Sequence, residues 1–269
     1  MPPEVGELLE TARAAARAAS QLLAGARASE IRAKGNPRDL VTEWDLRSEE
    51  IIRTTLAERT PGIPLLAEEG GVSGPTGTGA GKSLRWVVDP IDGTVNFAHG
   101  FPIWSVSIAL EDEDRKPLVG VVTAPALGWW FEASRGGGAH DGDGRPLVVS
   151  SPATLEQALL TTGFPYDRAT NPDNNFVQWE HFQRTAGAVR RLGSASIDLC
   201  LVARGWMDGY WERRLKPWDI AAGGLIVAEA GGTVTNTTGG PFDPYEGEVV
   251  ATNGAIHVEL IAELLRSRS

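Results

Sequence analysis

The sequence predicts a mixed α/β protein in two successive parts, α+β over residues 1–149 and α/β over residues 150–269. Apolar, strand-like runs at 104–110, 118–123, 129–133 and 147–149 follow one another across Glu111-Asp112-Glu113-Asp114 and glycine-rich turns, the pattern of an antiparallel meander. Beyond residue 150 the rhythm changes to alternation. An apolar run at 158–162 precedes helical stretches at 176–186 and 196–203; a strand at 207–212, a helix at 219–230, a strand at 249–252 and a helix at 256–266 complete it. At 269 residues and 28.7 kDa the chain can bury a substantial core as one large domain or two smaller ones.

The elements before the meander follow from local chemistry. Leu8, Leu9, Ala12, Ala15, Ala16, Ala19, Leu22 and Leu23 recur at helical spacing, so an alanine-rich helix is expected over 5–32, with Arg13, Arg17 and Arg27 on its solvated face. Lys34-Gly35-Asn36-Pro37-Arg38-Asp39 breaks it with turn formers. Thr42 followed three residues later by Asp45 reads as the capped start of a second helix, which carries Ile51, Ile52 and Leu56 toward Pro61-Gly62. A short apolar run at 63–67 then ends in Glu68-Glu69.

The chemistry concentrates in Trp86-Val87-Val88-Asp89-Pro90-Ile91-Asp92-Gly93-Thr94. This reads as a buried strand that stops at Asp89, where Pro90 removes a donor and Gly93 permits a tight turn. Asp-Pro and Asp-Gly are also ordinary turn formers. What favours chemistry is the company: Glu68-Glu69 upstream, and Trp218-Asp219 opening a helix far downstream. Close carboxylates repel unless a cation or proton sits between them, and hard oxygen ligands suit magnesium or calcium. Phosphate-ester hydrolysis needs neutralised phosphate oxygens, an activated water and a stabilised leaving oxygen, all of which two nearby metal ions can supply.

Asp89-Pro90-Ile91-Asp92-Gly93-Thr94, the Glu68-Glu69 pair, and Trp218-Asp219 followed by Ala230-Gly231-Gly232 resemble the signatures of the inositol monophosphatase family. The resemblance extends to Leu40-Val41-Thr42 with Asp45, to Asn96-Phe97 with Phe101-Pro102, and to Gly193-Ser194-Ala195, covering nearly the whole chain. It implies a layered αβαβα sandwich of the sugar-phosphatase type and a magnesium-dependent, lithium-sensitive phosphatase holding two or three ions. By the same resemblance Glu68, Asp89 and the Ile91 carbonyl bind one metal, and Asp89, Asp92 and Asp219 another. Asp45 pairs with Thr94 to orient the nucleophilic water, and Glu68 shares in the catalysis. The backbone donors of Gly93 and Thr94 hold the phosphate, with Asp92, Ser194, Ala195 and Glu212 around the organic part of the substrate. The family's loop matching 34–39 reaches toward the metals, which puts Lys34 near the site. Inositol 1-phosphate is the expected substrate. Arg213, Arg214 and Lys216 could meet a second phosphate, leaving fructose 1,6-bisphosphate and histidinol phosphate open. Family members are commonly homodimers, and some bacterial relatives act instead as regulators contacting RNA or the transcription machinery.

Other classes are excluded by pattern or composition. Gly77-Thr78-Gly79-Ala80-Gly81-Lys82-Ser83 fails as a nucleotide-binding loop, since Thr76 stands where glycine is required and a strand follows rather than a helix. Asp141-Gly142-Asp143-Gly144 fails as a calcium loop because Arg145 replaces an oxygen donor; a hairpin turn is expected there. There is no G-x-S-x-G elbow, and the four histidines form no H-E-x-x-H pair. The net charge of -10 disfavours nucleic acid and anionic membranes. The single Cys200 is expected to pack, and with no apolar run of membrane-spanning length and no leader-like N-terminus the chain reads as cytoplasmic.

Overall fold

Helix α1, Val5–Leu23, exists because its alanine stripe can press flat on a sheet: Leu8, Ala12, Ala15, Ala16 and Ala19 are buried. It is shorter than the periodicity suggests. Gly25 takes φ 73°, which ends the helix, and Ile31–Ala33 pairs antiparallel with Leu40–Thr42 as a hairpin, β1 and β2. The computed structural model describes residues 4–74 and 84–267. The glycine-rich stretch 77–83 lies outside the described residues.

Thr42 caps α2, Glu43–Arg59, through a capping box with Asp45. Then come β3, Leu65–Ala67; β4, Gly71–Ser73; β5, Arg85–Asp92; a short helix α3, Thr94–Ala98; β6, Ser105–Glu111; β7, Pro117–Ala124; β8, Trp129–Ser134; and β9, Gly138–Asp141. Two expectations change here. Strand β5 does not stop at Asp89 but continues to Asp92 through an irregularity in its pairing with β6, which accommodates Pro90 without a ladder donor. Residues 147–149 form no strand; the meander closes instead on Gly138–Asp141, because the turn at 141–145 folds back immediately, Asp141 N donating to Arg145 O at 2.9 Å.

The later half contains β10, Leu159–Thr162; α4, Phe176–Thr185; β11, Ala188–Arg190; α5, Ala195–Ala203; β12, Gly209–Arg213; α6, Pro217–Glu229; β13, Thr233–Thr235; β14, Glu248–Thr252; and α7, His257–Arg266. The three short strands β4, β11 and β13 escaped the sequence reading because three residues carry no period. Two sheets result: seven strands in the order β4-β3-β5-β6-β7-β8-β9, parallel only at β3–β5, and five in the order β11-β10-β12-β14-β13, parallel at β10 with β11 and β12.

Side-chain alternation sorts the layers. In β5, Trp86 and Val88 pack with α1 and α2, while Val87 faces the opposite way toward α5 and α6. In β12, Tyr210 faces α5 and α6, while Trp211 faces α4 and α7. The molecule is therefore an αβαβα sandwich: α1 and α2, the large sheet, α5 and α6, the small sheet, α4 and α7. Cys200 is buried in the middle layer, as its apolar setting requires. Glycine lets that layer sit close. At Gly120 of β7 a Cβ would stand 2.9 Å from Ala222 O and 3.1 Å from Ala222 Cα, so α6 lies backbone against backbone on the sheet.

Candidate active site

The end of β5 and the starts of α2, α5 and α6 converge on one cavity of about 290 Å³, lined by Glu68, Asp89, Ile91, Asp92, Gly93, Thr94, Ser194, Ala195, Glu212 and Asp219. Every expected ligand and substrate contact thus reaches the same space. Asp45 stands behind it. Its Oδ2 accepts from Thr42 N at 2.8 Å and Thr42 Oγ1 at 2.6 Å, while its Oδ1 lies 3.0 Å from Thr94 Oγ1, which is also 3.0 Å from Ile91 O.

The sequence makes each placement local. Asp89 Oδ1 accepts from Ile91 N at 3.0 Å, folding the chain over Pro90, whose carbonyl accepts from Ser48 Oγ at 2.9 Å. Gly93 has φ 92°, and a Cβ there would stand 3.0 Å from Gly193 O and 3.1 Å from Ile103 O; no other residue fits this turn. Asp92 is gripped from the other half of the chain: its Oδ2 accepts from Ser194 Oγ at 2.7 Å, Ser196 N at 2.7 Å and Ser196 Oγ at 2.6 Å. Asp219 sits in the first turn of α6, its Oδ2 accepting from Lys216 N at 2.7 Å, and Ser107 of β6 holds the preceding Trp218 carbonyl at 3.0 Å. Glu212 is buried, accepts from Tyr210 Oη at 2.7 Å and covers Gly163 so closely that a Cβ there would lie 2.0 Å from Oε2.

The electrostatics are those of acids without enough cations. Burial first, and then the charges of Glu68, Asp92 and Asp219, push Asp89 well above the carboxylate range. Asp219 is raised well above it by burial and by Asp92 and Glu68. Burial lifts Glu68 to about 7 despite Lys34, and Glu212 to about 7 despite its Tyr210 bond. Lys34 Nζ lies 2.8 Å from Glu68 Oε1 and also meets Glu69, so the loop at 34–39 does reach the site.

The donor set is oxygen only and bears excess negative charge, which fits a hard cation of the magnesium kind. Among the described residues no three of these acids close into a ready ligand cage. The reason is visible in their partners: Glu68 is turned to Lys34 and one oxygen of Asp92 to the serines.

Two groups change role or were missed. Arg213 is paired with Asp173 and Glu248 and is not among the residues lining the cavity, whereas Arg214, paired with Asp167, and Lys216 both line it. Tyr166 and Arg191 also line it, though no period or motif marks them. Ser196 could have been found from the Ser-x-Ser spacing at a helix start.

Over residues 4–269 the chain matches the model of the inositol monophosphatase family. The chain belongs to that family. It is 46% identical over 231 residues to an inositol-1-monophosphatase of Synechocystis, covering 86% of this chain and 78% of the relative. It is 42% identical over 218 residues to a Nus factor SuhB of Pseudomonas aeruginosa, covering 80% and 79%. Its fold superposes on the inositol monophosphatase of Anabaena with a TM-score of 0.86 at 38% identity, over 96% of this chain and 95% of that one. As an inositol monophosphatase family member, the chain is an enzyme of the phosphatase class, and its layered fold is the family's.

Proposed function

We propose that the chain hydrolyses inositol 1-phosphate to myo-inositol and phosphate with magnesium, using an activated water rather than a side-chain nucleophile. The observation that carries the reading is the gathering of Glu68, Asp89, Asp92 and Asp219 around one cavity, with the Thr94–Asp45 pair at its wall. Glu68, Asp89 and the Ile91 carbonyl would hold one ion, and Asp89, Asp92 and Asp219 another. Bound magnesium would neutralise phosphate oxygens and acidify a water.

The chain's own groups supply the rest. Thr94 Oγ1 spends its proton on Asp45 or Ile91 and keeps lone pairs that can accept from a water O–H, fixing the direction of attack. The N–H groups of Gly93 and Thr94 offer donors to the phosphate. Ionised Glu212 would accept from polyol hydroxyls, with Ser194 and Ala195 closing the wall beside it. Asp92 would serve metal and substrate alike, and Glu68 would help orient the water. Lithium sensitivity, a homodimer and a cytoplasmic setting belong to the same reading; among the described residues no helix is long and apolar enough to cross a membrane.

The test is phosphate release with magnesium from inositol 1-phosphate, fructose 1,6-bisphosphate, histidinol phosphate and adenosine 3',5'-bisphosphate, before and after chelation. Preference for inositol 1-phosphate that chelation abolishes is expected. Release that survives chelation would overturn the metal assignment, and release from histidinol phosphate alone would overturn the substrate.

A further inference from the structure

The buried face of α2 is divided. Ile52 and Leu56 press into the core beneath the large sheet with Trp86 and Val88, while Asp45, Ser48 and Glu49 occupy the same face nearer the start of the helix. Buried polar side chains need partners, and each of these finds one on a different segment of the candidate site. Asp45 meets Thr94, and Ser48 Oγ donates to Pro90 O at 2.9 Å. Glu49 reaches the turn between β3 and β4, its Oε2 accepting from Glu69 N at 2.8 Å and from Gly70 N at 3.2 Å. That turn carries Glu68.

Glu49 is buried and does not line the cavity, so whatever it does for the site passes through the turn. The turn is tied at both ends. Glu68 N donates to Val88 O at 3.2 Å, which joins its start to the strand bearing Asp89, and Glu49 joins its far side to α2. Glu49 Oε1 meets Arg53 Nη2, and Arg53 also reaches Ser73 Oγ on β4, so the clamp extends past the turn. Gly70 leaves room for it; a Cβ there would stand 2.5 Å from Glu49 Oε1. The use of an acid here is costly. Burial first, and then, against the pull of Lys34, the charges of Asp45 and Glu49 raise the Glu69 carboxyl above its ordinary range. A neutral amide side chain could accept the same bonds without adding a charge beside Glu68 and Glu69. What the carboxylate adds is rigidity, because two backbone donors converge on one of its oxygens in charge-assisted bonds while a guanidinium holds the other.

We infer that Glu49 is a positioning residue for the metal site: through the Glu69 and Gly70 amides it fixes the turn that presents Glu68 to the cation shared with Asp89 and the Ile91 carbonyl. The inference rests on the magnesium reading proposed above. One helix face then sets three parts of the site against one another, Asp45 holding Thr94, Ser48 holding the chain between Asp89 and Ile91, and Glu49 holding the turn of Glu68.

The experiment compares the wild type with Glu49→Gln, with Gly70→Ala, which crowds the clamp and keeps every charge, and with Glu50→Gln, which removes the neighbouring exposed acid. Three quantities are read: manganese binding to the substrate-free protein, from the electron paramagnetic resonance of the free ion; the magnesium concentration for half-maximal phosphate release from inositol 1-phosphate; and melting in chelator. Glu49→Gln is expected to bind manganese about tenfold more weakly and to need about tenfold more magnesium, while kcat at saturating magnesium returns to within about threefold of wild type. Gly70→Ala is expected to shift both in the same direction, and it carries the test if Glu49→Gln does not fold. Glu50→Gln should stay within about twofold of wild type, since its charge is screened by solvent. Unchanged metal affinity with a lowered melting temperature would reduce Glu49 to a clamp for stability and overturn the inference. An equal shift in Glu50→Gln would overturn it in favour of charge acting at a distance. In both cases the metal-dependent wild type leaves the magnesium reading standing; a wild type that binds no manganese and releases phosphate in chelator would remove both.

Discussion

Replacing Gly120 with alanine would push the middle helix layer off the large sheet with a single methyl group. The new Cβ would stand 2.9 Å from Ala222 O, 3.1 Å from Ala222 Cα and 3.3 Å from Ala222 C, all backbone atoms of α6 that no rotamer change can remove. Ordinary contact begins near 3.4 Å, so the helix must retreat by roughly half an ångström, and overpacking of this kind costs about 2 kcal/mol. For a chain of this size each kcal/mol moves Tm by about 2–3 °C, so a fall of about 5 °C is expected in thermal unfolding with chelator present. The same movement carries Asp219, one turn earlier on α6, away from Asp89 and Asp92. A misplacement of about 1 Å can cost on the order of 100-fold in rate, and half that displacement predicts a fall of about 10-fold in kcat at saturating magnesium. A variant that melts within about 1 °C of wild type and keeps its full kcat would refute the claim that this contact sets the depth of α6 and the position of its acid.

Asp92→Asn should abolish phosphate release yet melt within a few degrees of wild type, because an amide oxygen can still accept from Ser194 and Ser196 while the ligand charge is gone; retained turnover would remove Asp92 from the metal set. Gly163→Ala should drive Glu212 from its seat and break its bond to Tyr210, raising KM for a polyol phosphate more than it lowers kcat. An unchanged KM would dissociate Glu212 from substrate binding. His257 is buried with Thr252 Oγ1 2.9 Å from Nδ1 and Thr235 Oγ1 2.9 Å from Nε2, and burial lowers its pKa below 6.5. The unfolded chain therefore takes up this proton first, so the contribution is intact above pH 6.5 and is lost as pH falls below it. Urea unfolding at pH 7.5 and 5.5 should show a smaller pH dependence in His257→Gln than in wild type.

The site was legible in sequence because its acids sit at element ends marked by unusual chemistry: Asp-Pro and Asp-Gly at the end of β5, a Thr-x-x-Asp box opening α2, and Trp-Asp after Pro217 opening α6. Such punctuation is local and needs no tertiary information. Long amphipathic helices and the meander were legible for the same reason, through their periods. What was hidden depends on approach between distant segments. The three-residue strand Ile31–Ala33 looked like a continuation of α1 because Ile and Ala suit either state, and only pairing with Leu40–Thr42 decides it. Arg191 and Tyr166 carry no local mark; their meaning comes from what the chain brings opposite them. Arg213 errs the other way, since its charge looked available until Asp173 and Glu248 were placed beside it.

The grip of Ser194 and Ser196 on Asp92 makes the site a late product of synthesis. Asp89 and Asp92 leave the ribosome well before the serines that hold one of them and before Asp219. On the proposed metal reading, a nascent chain or a truncated fragment lacks Asp219 and the serines that orient Asp92, and is expected to release no phosphate. The candidate site is complete only once α5 and α6 have docked beside the end of β5, so its assembly reports on the packing of both halves of the chain.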